Sequence, residues 1–192
     1  MELVDVGQIM NLYEQQMVSS PRPQHCCRIL SAVADVPDDS EALTVEANPC
    51  CRQNKLRTFC REKGIQLCAY SPLGGKGEPW ANNSVMDSPV LKKIAQDMGK
   101  TVAQVCIRWV YEQGDVVIPK SFNEKRMREN LDIFDWELTN GARHKINSLP
   151  ELRGTYDFFV HQSGPYKTAE EFWDGEIAAG QPNQISALGL PI

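Results

Sequence analysis

A group of charged, polar and aromatic side chains stands directly after the apolar run VVI at 116–118, which reads as a buried strand closed by a proline. Its members are Lys120, Ser121, Phe122, Asn123 and Arg126. The asparagine is placed to cap a helix, whose free N–H groups and dipole attract an anion. The two cations add positive charge, the serine a donor and the phenylalanine a ring face. The group predicts a site for a phosphate attached to an aromatic base; the alternative is a solvated basic helix with a core phenylalanine.

Short strands that alternate with amphipathic helices must position this group. Apolar runs at 43–49, 65–75 and 116–118 predict strands, and helical spacing with caps predicts helices over about 53–63, 89–98 and 102–113. Further helices are expected after residue 123 and from about residue 139, and the tail from residue 150 reads as a packed loop. This order is typical of an α/β fold with a parallel sheet and crossover helices.

In parallel α/β folds ligands bind at the carboxyl ends of the strands. This rule singles out three stretches, at 46–49, 70–75 and 120–130. Tyr70 is a candidate at the second of them, although a tyrosine in that position is more often a core residue than a ligand platform. The GGKG run at 74–77 is a loop without the spacing of a Walker motif. None of the three histidines lies at a strand end, so none is assigned to catalysis.

Composition narrows the partners and the location. The net charge of −5 argues against broad attraction to nucleic acid or to an anionic membrane. No apolar run approaches the roughly 18 residues of a membrane span, and the N-terminus lacks a signal-peptide pattern. A cytoplasmic location is therefore expected. The seven cysteines lack the C-x-x-C spacing of a metal site and are expected to be reduced thiols.

Six segments resemble, in order and spacing, the C-terminal half of the aldo-keto reductases, in the plant branch with chalcone, codeinone and deoxymugineic-acid-type reductases. They are VEANP, AYSPLGG, VMDSPVLKKIA, GKTVAQVCIRWVYEQG, PKSFNEKRMRENLDIFDWELT and GPYKTAEEFWDGEI. The resemblance implies a partial (β/α)8 TIM barrel with about strands 6–8, their helices and the C-terminal tail. It covers residues 43–177. Residues 1–42 are expected to be a divergent, poorly ordered segment with one helix, and 178–192 a tail.

The resemblance also implies NADPH as cofactor and the reduction of a carbonyl to an alcohol by hydride transfer. The positions matched to the adenosine end of NADPH are Lys120, Ser121 and Arg126 for the 2′-phosphate and ribose, Phe122 and Asn123 beside them, and Glu129 and Asn130 for the adenine. The positions matched to its other end are Tyr70, which stacks on the nicotinamide, and Ser71, Leu73 and Gly75, which cross the pyrophosphate.

Two departures from the family pattern bear on activity. Thr44 stands where the family has a glutamine that reaches the nicotinamide carboxamide. The catalytic Asp, Tyr, Lys and His of the family come from its first four strands, and residues 1–43 do not resemble those strands. We therefore expect no catalytic residue in this chain and little or no turnover by it alone.

Three hypotheses follow from the missing strands. The chain belongs to an NADPH-dependent reductase that acts on a small carbonyl substrate only when its barrel is completed. Alternatively it is a non-catalytic NADPH-binding module, or an interaction fragment or truncated gene product without a stable fold of its own. Unpaired strand edges would favour self-association. No nucleic-acid, membrane or metal partner is expected.

Overall fold

The structure is a computed structural model, which describes residues 42–75, 84–152, 162–163, 167–173 and 175–176. The strands in these ranges are β1 (Ala42–Glu46), β2 (Gln66–Tyr70) and β3 (Val116–Ile118). The helices are α1 (Asn54–Lys63), α2 (Ser84–Asp87), α3 (Pro89–Met98), α4 (Val102–Glu112), α5 (Glu124–Leu131), α6 (Asn140–Asn147) and α7 (Ala169–Phe172). The expectations for residues 1–41 and 178–192 lie outside the described residues.

The three strands form one parallel sheet in the order β1-β2-β3. Glu46 pairs with Tyr70, and Tyr70 pairs with Ile118, so the last residues of the strands stand in one row. The α/β fold with a parallel sheet is thereby confirmed. Two short helices, α2 and α7, were not expected. The prediction of a loop throughout the tail was wrong at α7, because a four-residue helical turn is too short to show a hydrophobic period.

Local hydrogen bonds set the helix ends where the sequence predicts them. At α4 the Thr101 hydroxyl accepts a bond from the Gln104 N–H at 3.1 Å, and the Gln104 side chain accepts one from the Thr101 N–H at 2.9 Å. This reciprocal pair is a capping box. Ser88 caps α3, which ends at Gly99 in the left-handed conformation with φ of 63°. The helices that position the site are therefore specified by short-range sequence.

The core lies between the sheet and the helices that return along it. Trp109 and Val110 of α4 are almost fully buried, as are Leu91 of α3 and Ile146 of α6. Within α4 the buried residues Cys106, Trp109 and Val110 recur at i, i+3 and i+4, the spacing of one apolar helix face. In the described part of the tail, Trp173 is also buried, at 6% exposure. This core orients the strands and therefore the loops that leave them.

A buried ion pair connects α1 with the start of β3 at the amino end of the sheet. The Arg57 guanidinium donates two hydrogen bonds to Oδ2 of Asp115, at 2.9 and 2.6 Å, and a third to the Arg52 carbonyl. Its Cζ also lies 5.5 Å from the centre of the Trp109 ring. Both side chains of the pair are less than a tenth exposed. Removing one partner would leave an uncompensated charge in the core.

We expect Asp115→Ala to lower the free energy of unfolding by about 3 kcal/mol. The substitution would leave the Arg57 charge unpaired in a core of low dielectric constant. Urea unfolding followed by circular dichroism measures the change. Asp135→Ala is the control, since Asp135 is exposed and forms no ion pair with a described residue. A loss no greater than that of the control would show that the Arg57–Asp115 pair does not stabilise the fold.

A second charge cluster joins α4 to α6. The Glu112 carboxylate accepts hydrogen bonds from Arg108 at 2.7 Å, from Arg143 at 2.8 Å and from the Leu138 N–H at 2.9 Å. Burial is the largest influence on Glu112 and by itself raises the pKa, but these three donors together outweigh it and lower the pKa below its ordinary value. The charged form of Glu112 is therefore favoured by folding.

A group whose pKa is lowered in the folded state stabilises the protein above its unfolded pKa, here about 4.5, and loses that contribution as the pH falls through the folded value. Glu112→Gln should lower the free energy of unfolding by about 2 kcal/mol at neutral pH. The difference from the parent chain should shrink as the pH falls below about 4.5, as urea titrations at several pH values would show. Glu62→Gln is the control, because Glu62 is exposed and forms no ion pair with a described residue. An equal loss at every pH would contradict the role given to the charge.

The cysteines of the described region are all free thiols. Burial raises the pKa of the Cys50 thiol to about 11, and it also raises the pKa of Cys60, Cys68 and Cys106. A raised pKa keeps a thiol protonated and poorly nucleophilic. In the described residues no group of three or more His, Cys, Asp or Glu side chains is arranged to hold a metal ion. These thiols serve as packing residues.

Candidate cofactor-binding site

The register of the sheet brings the three predicted ligand stretches together at the carboxyl end of the strands. Because Glu46, Tyr70 and Ile118 stand side by side, the chain segments after them leave the sheet together. The Ala47 N–H donates to the Tyr70 carbonyl at 3.2 Å, which extends the pairing one residue past β1. Tyr70 is half-buried. On the neighbouring strand it pairs with Ile118, which lies two residues before Lys120.

The segment after β2 makes a tight turn. Ser71 has φ of 48°, a left-handed conformation that is uncommon for a residue with a side chain, and its carbonyl accepts a bond from the Gly74 N–H at 2.9 Å. Asn48 also donates to the Ser71 carbonyl, at 3.4 Å. Leu73 packs against the core and Gly75 is buried. Strained backbone of this kind is concentrated at functional sites.

Asn48 is a supporting residue that the sequence reasoning missed. It is 2% exposed and its amide spans Glu46 Oε1 at 3.3 Å and the Ser71 carbonyl. The sequence analysis singled out the stretch 46–49 as a place where a ligand could bind, but it gave Asn48 no role of its own. The signal that could have found it is an asparagine at the carboxyl end of a strand, where a polar side chain can bond to the next loop.

At the start of α5, side chains of the predicted group organise the backbone. The Asn123 side chain accepts a hydrogen bond from the Arg126 N–H at 3.0 Å and so caps the helix. The Ser121 hydroxyl accepts one from the Asn123 N–H at 3.2 Å. The predicted helix and its cap are confirmed. The remaining first-turn N–H groups and the positive end of the dipole face outward from this end of α5.

The basic residues of this region divide into two kinds. Arg128 is paired with Glu124 at 2.7 Å, and Lys125 lies 3.9 Å from Glu129. Both arrangements are i, i+4 pairs along the helix. By contrast, the side chains of Lys120 and Arg126 are exposed and form no ion pair with a described residue. The two cations that the resemblance matches to a phosphate are thus the two that remain available for an external anion.

Phe122 is 89% exposed, and Lys120 Nζ lies 5.2 Å from the centre of its ring. The alternative in which this phenylalanine is a core residue under a solvated helix was therefore wrong. The physical reason is that Phe122 precedes the helix, in the segment that turns away from the sheet. Its ring presents an open face next to a cation.

Asn130 is the buried polar group of α5, at 8% exposure. Its side-chain amide forms no hydrogen bond with any residue in the described ranges. Buried amides are nearly always hydrogen-bonded in folded proteins, so an unsatisfied one calls for a ligand or another explanation. The neighbouring Glu129 keeps its carboxylate 31% exposed. The Asn130 amide would therefore find its hydrogen-bond partners outside the described residues, for example on a ligand.

Comparison with known proteins places these features in a family. The sequence model of the Aldo/keto reductase family matches residues 18–151. This chain belongs to that family. The match begins inside the segment 1–42 that was expected to be divergent.

Plant relatives match this aldo/keto reductase chain at high identity. Deoxymugineic acid synthase 1 of Zea mays is 61% identical over 134 residues, which are 69% of this chain and 43% of the relative. A 7-acetyl-epi-neemfruitin B aldo-keto reductase of Melia azedarach is 54% identical over 151 residues, or 78% of this chain and 46% of the relative. The chain thus spans less than half the length of these curated relatives.

Two solved structures share part of its fold. MGS-M4, an aldo-keto reductase from a deep-sea metagenome library, aligns with a TM-score of 0.51 and 33% identity over 56% of this chain and 38% of its own. A mutant of Gox0644 in complex with NADPH aligns with a TM-score of 0.51 and 37% identity over 62% of this chain and 41% of its own. Of the helices in the described ranges, none has the length and apolarity that crossing a membrane requires.

The Asn130 amide has no hydrogen-bond partner among residues of the described ranges, which leads to a prediction for this aldo/keto reductase chain without ligand. Asn130→Leu should raise the free energy of unfolding by about 1 kcal/mol, because it removes a desolvated amide and keeps the side-chain volume. Urea unfolding measures the change. Asn147→Leu serves as the control, since Asn147 accepts a hydrogen bond from Trp109 Nε1 at 3.2 Å and should be destabilised. Destabilisation of both variants would mean that the Asn130 amide has a partner in the free protein.

Proposed function

We propose that this chain binds NADPH at the carboxyl end of the parallel strands, where α5 begins. It would do so as part of an oxidoreductase that reduces a carbonyl to an alcohol. The observation that carries the proposal is that Lys120 and Arg126 are left without an ion pair among the described residues while Lys125 and Arg128 are paired. A 2′-phosphate would be the anion that these cations and the capped helix end hold. This feature distinguishes NADPH from NADH.

The residues present fit the rest of the cofactor. The Asn130 amide would bond to the adenine, and the partly exposed carboxylate of Glu129, one position before it, would turn from its 3.9 Å contact with Lys125 to the same task. Phe122 offers an exposed ring face beside the phosphate site. Adenine presents both donors and acceptors, so a carboxylate and an amide together can satisfy its edge. Asn123 contributes by capping the helix end rather than by contact.

At the other end of the site, Tyr70 is half-buried at a strand terminus and is the residue that would pack on the nicotinamide. The turn through Ser71, Leu73 and Gly75 would pass the pyrophosphate with its backbone. When bound, NADPH supplies the hydride for the carbonyl carbon. The carbonyl oxygen needs a proton from a general acid, which contributes about 10²–10⁴-fold to the rate. We assign no residue of this chain to that role.

We infer that these 192 residues alone form a partial (β/α)8 barrel that binds the cofactor and turns over substrate poorly. Three parallel strands cannot supply the layers of inward side chains that fill an eight-stranded barrel. The free thiols with raised pKa values fit the reducing environment of the cytoplasm. A second candidate, a non-catalytic NADPH-binding or interaction fragment, is supported by the same unclosed sheet.

The proposal is tested by titrating the purified chain with NADPH and NADH and following the fluorescence of its four tryptophans. NADPH should bind more tightly, and Lys120→Ala and Arg126→Ala should each weaken NADPH binding about tenfold or more, as loss of a charged hydrogen bond implies. Neither substitution should change the affinity for NADH, which lacks the 2′-phosphate. Arg128→Ala is the matched control, because Arg128 lies in the same helix and already pairs with Glu124.

Equal affinities for NADPH and NADH, or equal effects of Arg126→Ala and Arg128→Ala, would exclude the phosphate site. Steady-state reduction of a generic aldehyde then separates the two candidates. Turnover by the chain alone would contradict the inference that its proton donor comes from elsewhere. Binding without turnover would agree with a cofactor-binding part of a reductase.

A further inference from the structure

Ser121 is a partly exposed serine in the segment that connects β3 to α5. This segment is neither helix nor strand, and such connections run over the surface of a protein. Among the described residues, the Ser121 hydroxyl is hydrogen-bonded only to the backbone of Asn123, whose N–H donates to it at 3.2 Å and whose carbonyl accepts from it at 3.5 Å. The side chain is therefore not locked into the core, and its oxygen is accessible to an enzyme that modifies serines.

The cations around this hydroxyl have no ion pair of their own. Lys120 directly precedes Ser121, and Arg126 lies in the first turn of α5. Both side chains are exposed, and neither forms an ion pair with a described residue. The acidic residue that begins α5, Glu124, is already paired with Arg128 at 2.7 Å. An anion attached to Ser121 would therefore meet available charges of the opposite sign, on a chain whose net charge is −5.

The start of α5 adds a second source of attraction for a negative group. α5 has eight residues, and its Asn123 cap accepts a hydrogen bond from the Arg126 N–H at 3.0 Å, so the positive end of the helix dipole lies next to the segment that holds Ser121. A phosphoserine carries about −1.5 to −2 charges at neutral pH and three strong acceptor oxygens. Beside basic side chains and a helix start it forms new charge-assisted hydrogen bonds. The residues that we assign to the 2′-phosphate of NADPH thus also suit a phosphate on their own serine.

We propose that Ser121 is a phosphorylation site whose phosphate takes the place of the cofactor's 2′-phosphate between Lys120 and Arg126. The modified chain would then lose its affinity for NADPH. The inference rests on the proposed function, because it concerns the regulation of that same site. A phosphate attached to the chain has an effective concentration on the order of millimolar at its own site, so free cofactor would displace it poorly.

The modification is a phosphoryl transfer from ATP by a Ser/Thr kinase. The Ser121 oxygen forms a bond to the γ-phosphorus, while the bond between that phosphorus and the β–γ bridging oxygen breaks. ADP leaves with the bridging oxygen, and the hydroxyl proton passes to the catalytic base of the kinase. Because bound NADPH would cover the same hydroxyl, cofactor binding and phosphorylation would oppose each other.

The first test compares the parent chain with a chain that carries phosphoserine at position 121, introduced during translation. Both are titrated with NADPH and with NADH, and tryptophan fluorescence is followed. The phosphate at position 121 should weaken NADPH binding about tenfold or more, because it fills the site and repels the 2′-phosphate, and the preference for NADPH over NADH should disappear. Phosphoserine at position 148 is the matched control. Ser148 is exposed at the end of α6, outside the proposed site, and the same added charge there should leave the preference unchanged.

A second test does not depend on the cofactor. The second pKa of a phosphoserine is ordinarily about 6, and two nearby cations should lower this pKa because they favour the doubly charged form. A ³¹P NMR titration of the chain with phosphoserine at position 121 measures it. Lys120→Ala combined with Arg126→Ala should return the pKa towards its ordinary value. Arg128→Ala, which removes a cation already paired with Glu124, should leave the pKa lowered.

A third test asks whether a kinase uses the site. The purified chain is incubated with MgATP and a Ser/Thr kinase that selects serines flanked by basic residues, and mass spectrometry locates the phosphate. Phosphate should appear at Ser121, and the corresponding peptide of Ser121→Ala should carry none. Saturating NADPH should slow the incorporation at Ser121, because the bound cofactor covers the hydroxyl.

An unshifted phosphate pKa, or no phosphate at Ser121 after the kinase reaction, would overturn the inference. So would an equal loss of NADPH affinity with phosphoserine at position 148, because added charge and not occupation of the site would then weaken binding. A chain with phosphoserine at position 121 that still prefers NADPH would overturn the inference and leave the cofactor site intact. Failure of the proposed function looks different, because the unmodified parent chain would then show no preference for NADPH in the same titration.

Discussion

The parallel pairing of β1, β2 and β3, in the register that aligns their last residues, is the constraint on which the rest of the structure depends. It aligns Glu46, Tyr70 and Ile118, so that three loops far apart in sequence leave the sheet at one edge. At the opposite edge the buried Arg57–Asp115 pair holds α1 to the start of β3. A slip of one residue would turn every strand side chain to the other face and separate the loops. The candidate site therefore exists only in this register.

The basic residues around α5 have two different roles: some form ion pairs within the helix, and others are available for a ligand. Intrahelical pairs engage Arg128 and Lys125, whereas Lys120 and Arg126 keep their charges exposed. Asn130 is buried without a described partner, and Ser71 holds a left-handed backbone at the neighbouring loop. The buried amide and the left-handed backbone each cost stability in the free protein, whereas the exposed charges do not. Departures from local rules that cluster at one edge of a sheet are what a binding site requires.

Among the described residues, packing is dense where helices cover the sheet and open beyond β3. Helices α3, α4 and α6 bury an apolar core against the sheet, with Trp109 at its centre. Within the ranges that the structure describes, no residue covers Met127 and Leu131 of α5, and no strand pairs with the outer edge of β3. Parallel sheets are stable when both faces are covered, and the eight-stranded barrel achieves this by closing on itself. The open outer edge of β3 agrees with the partial barrel that we propose.

The amino-acid sequence by itself determined the elements, their order and most of their ends. The Thr101–Gln104 capping box, the Gly99 end of α3 and the Asn123 cap depend on atoms within three or four residues, so local sequence specifies them. The tertiary structure alone decided which polar groups are satisfied. Arg57 meets Asp115 across 58 positions, Asn48 reaches the Ser71 loop, and Phe122 is exposed where a core position was the alternative. Burial and long-range pairing depend on which residues pack against a side chain in the folded protein. The spacing of residues along the sequence does not show which residues those are.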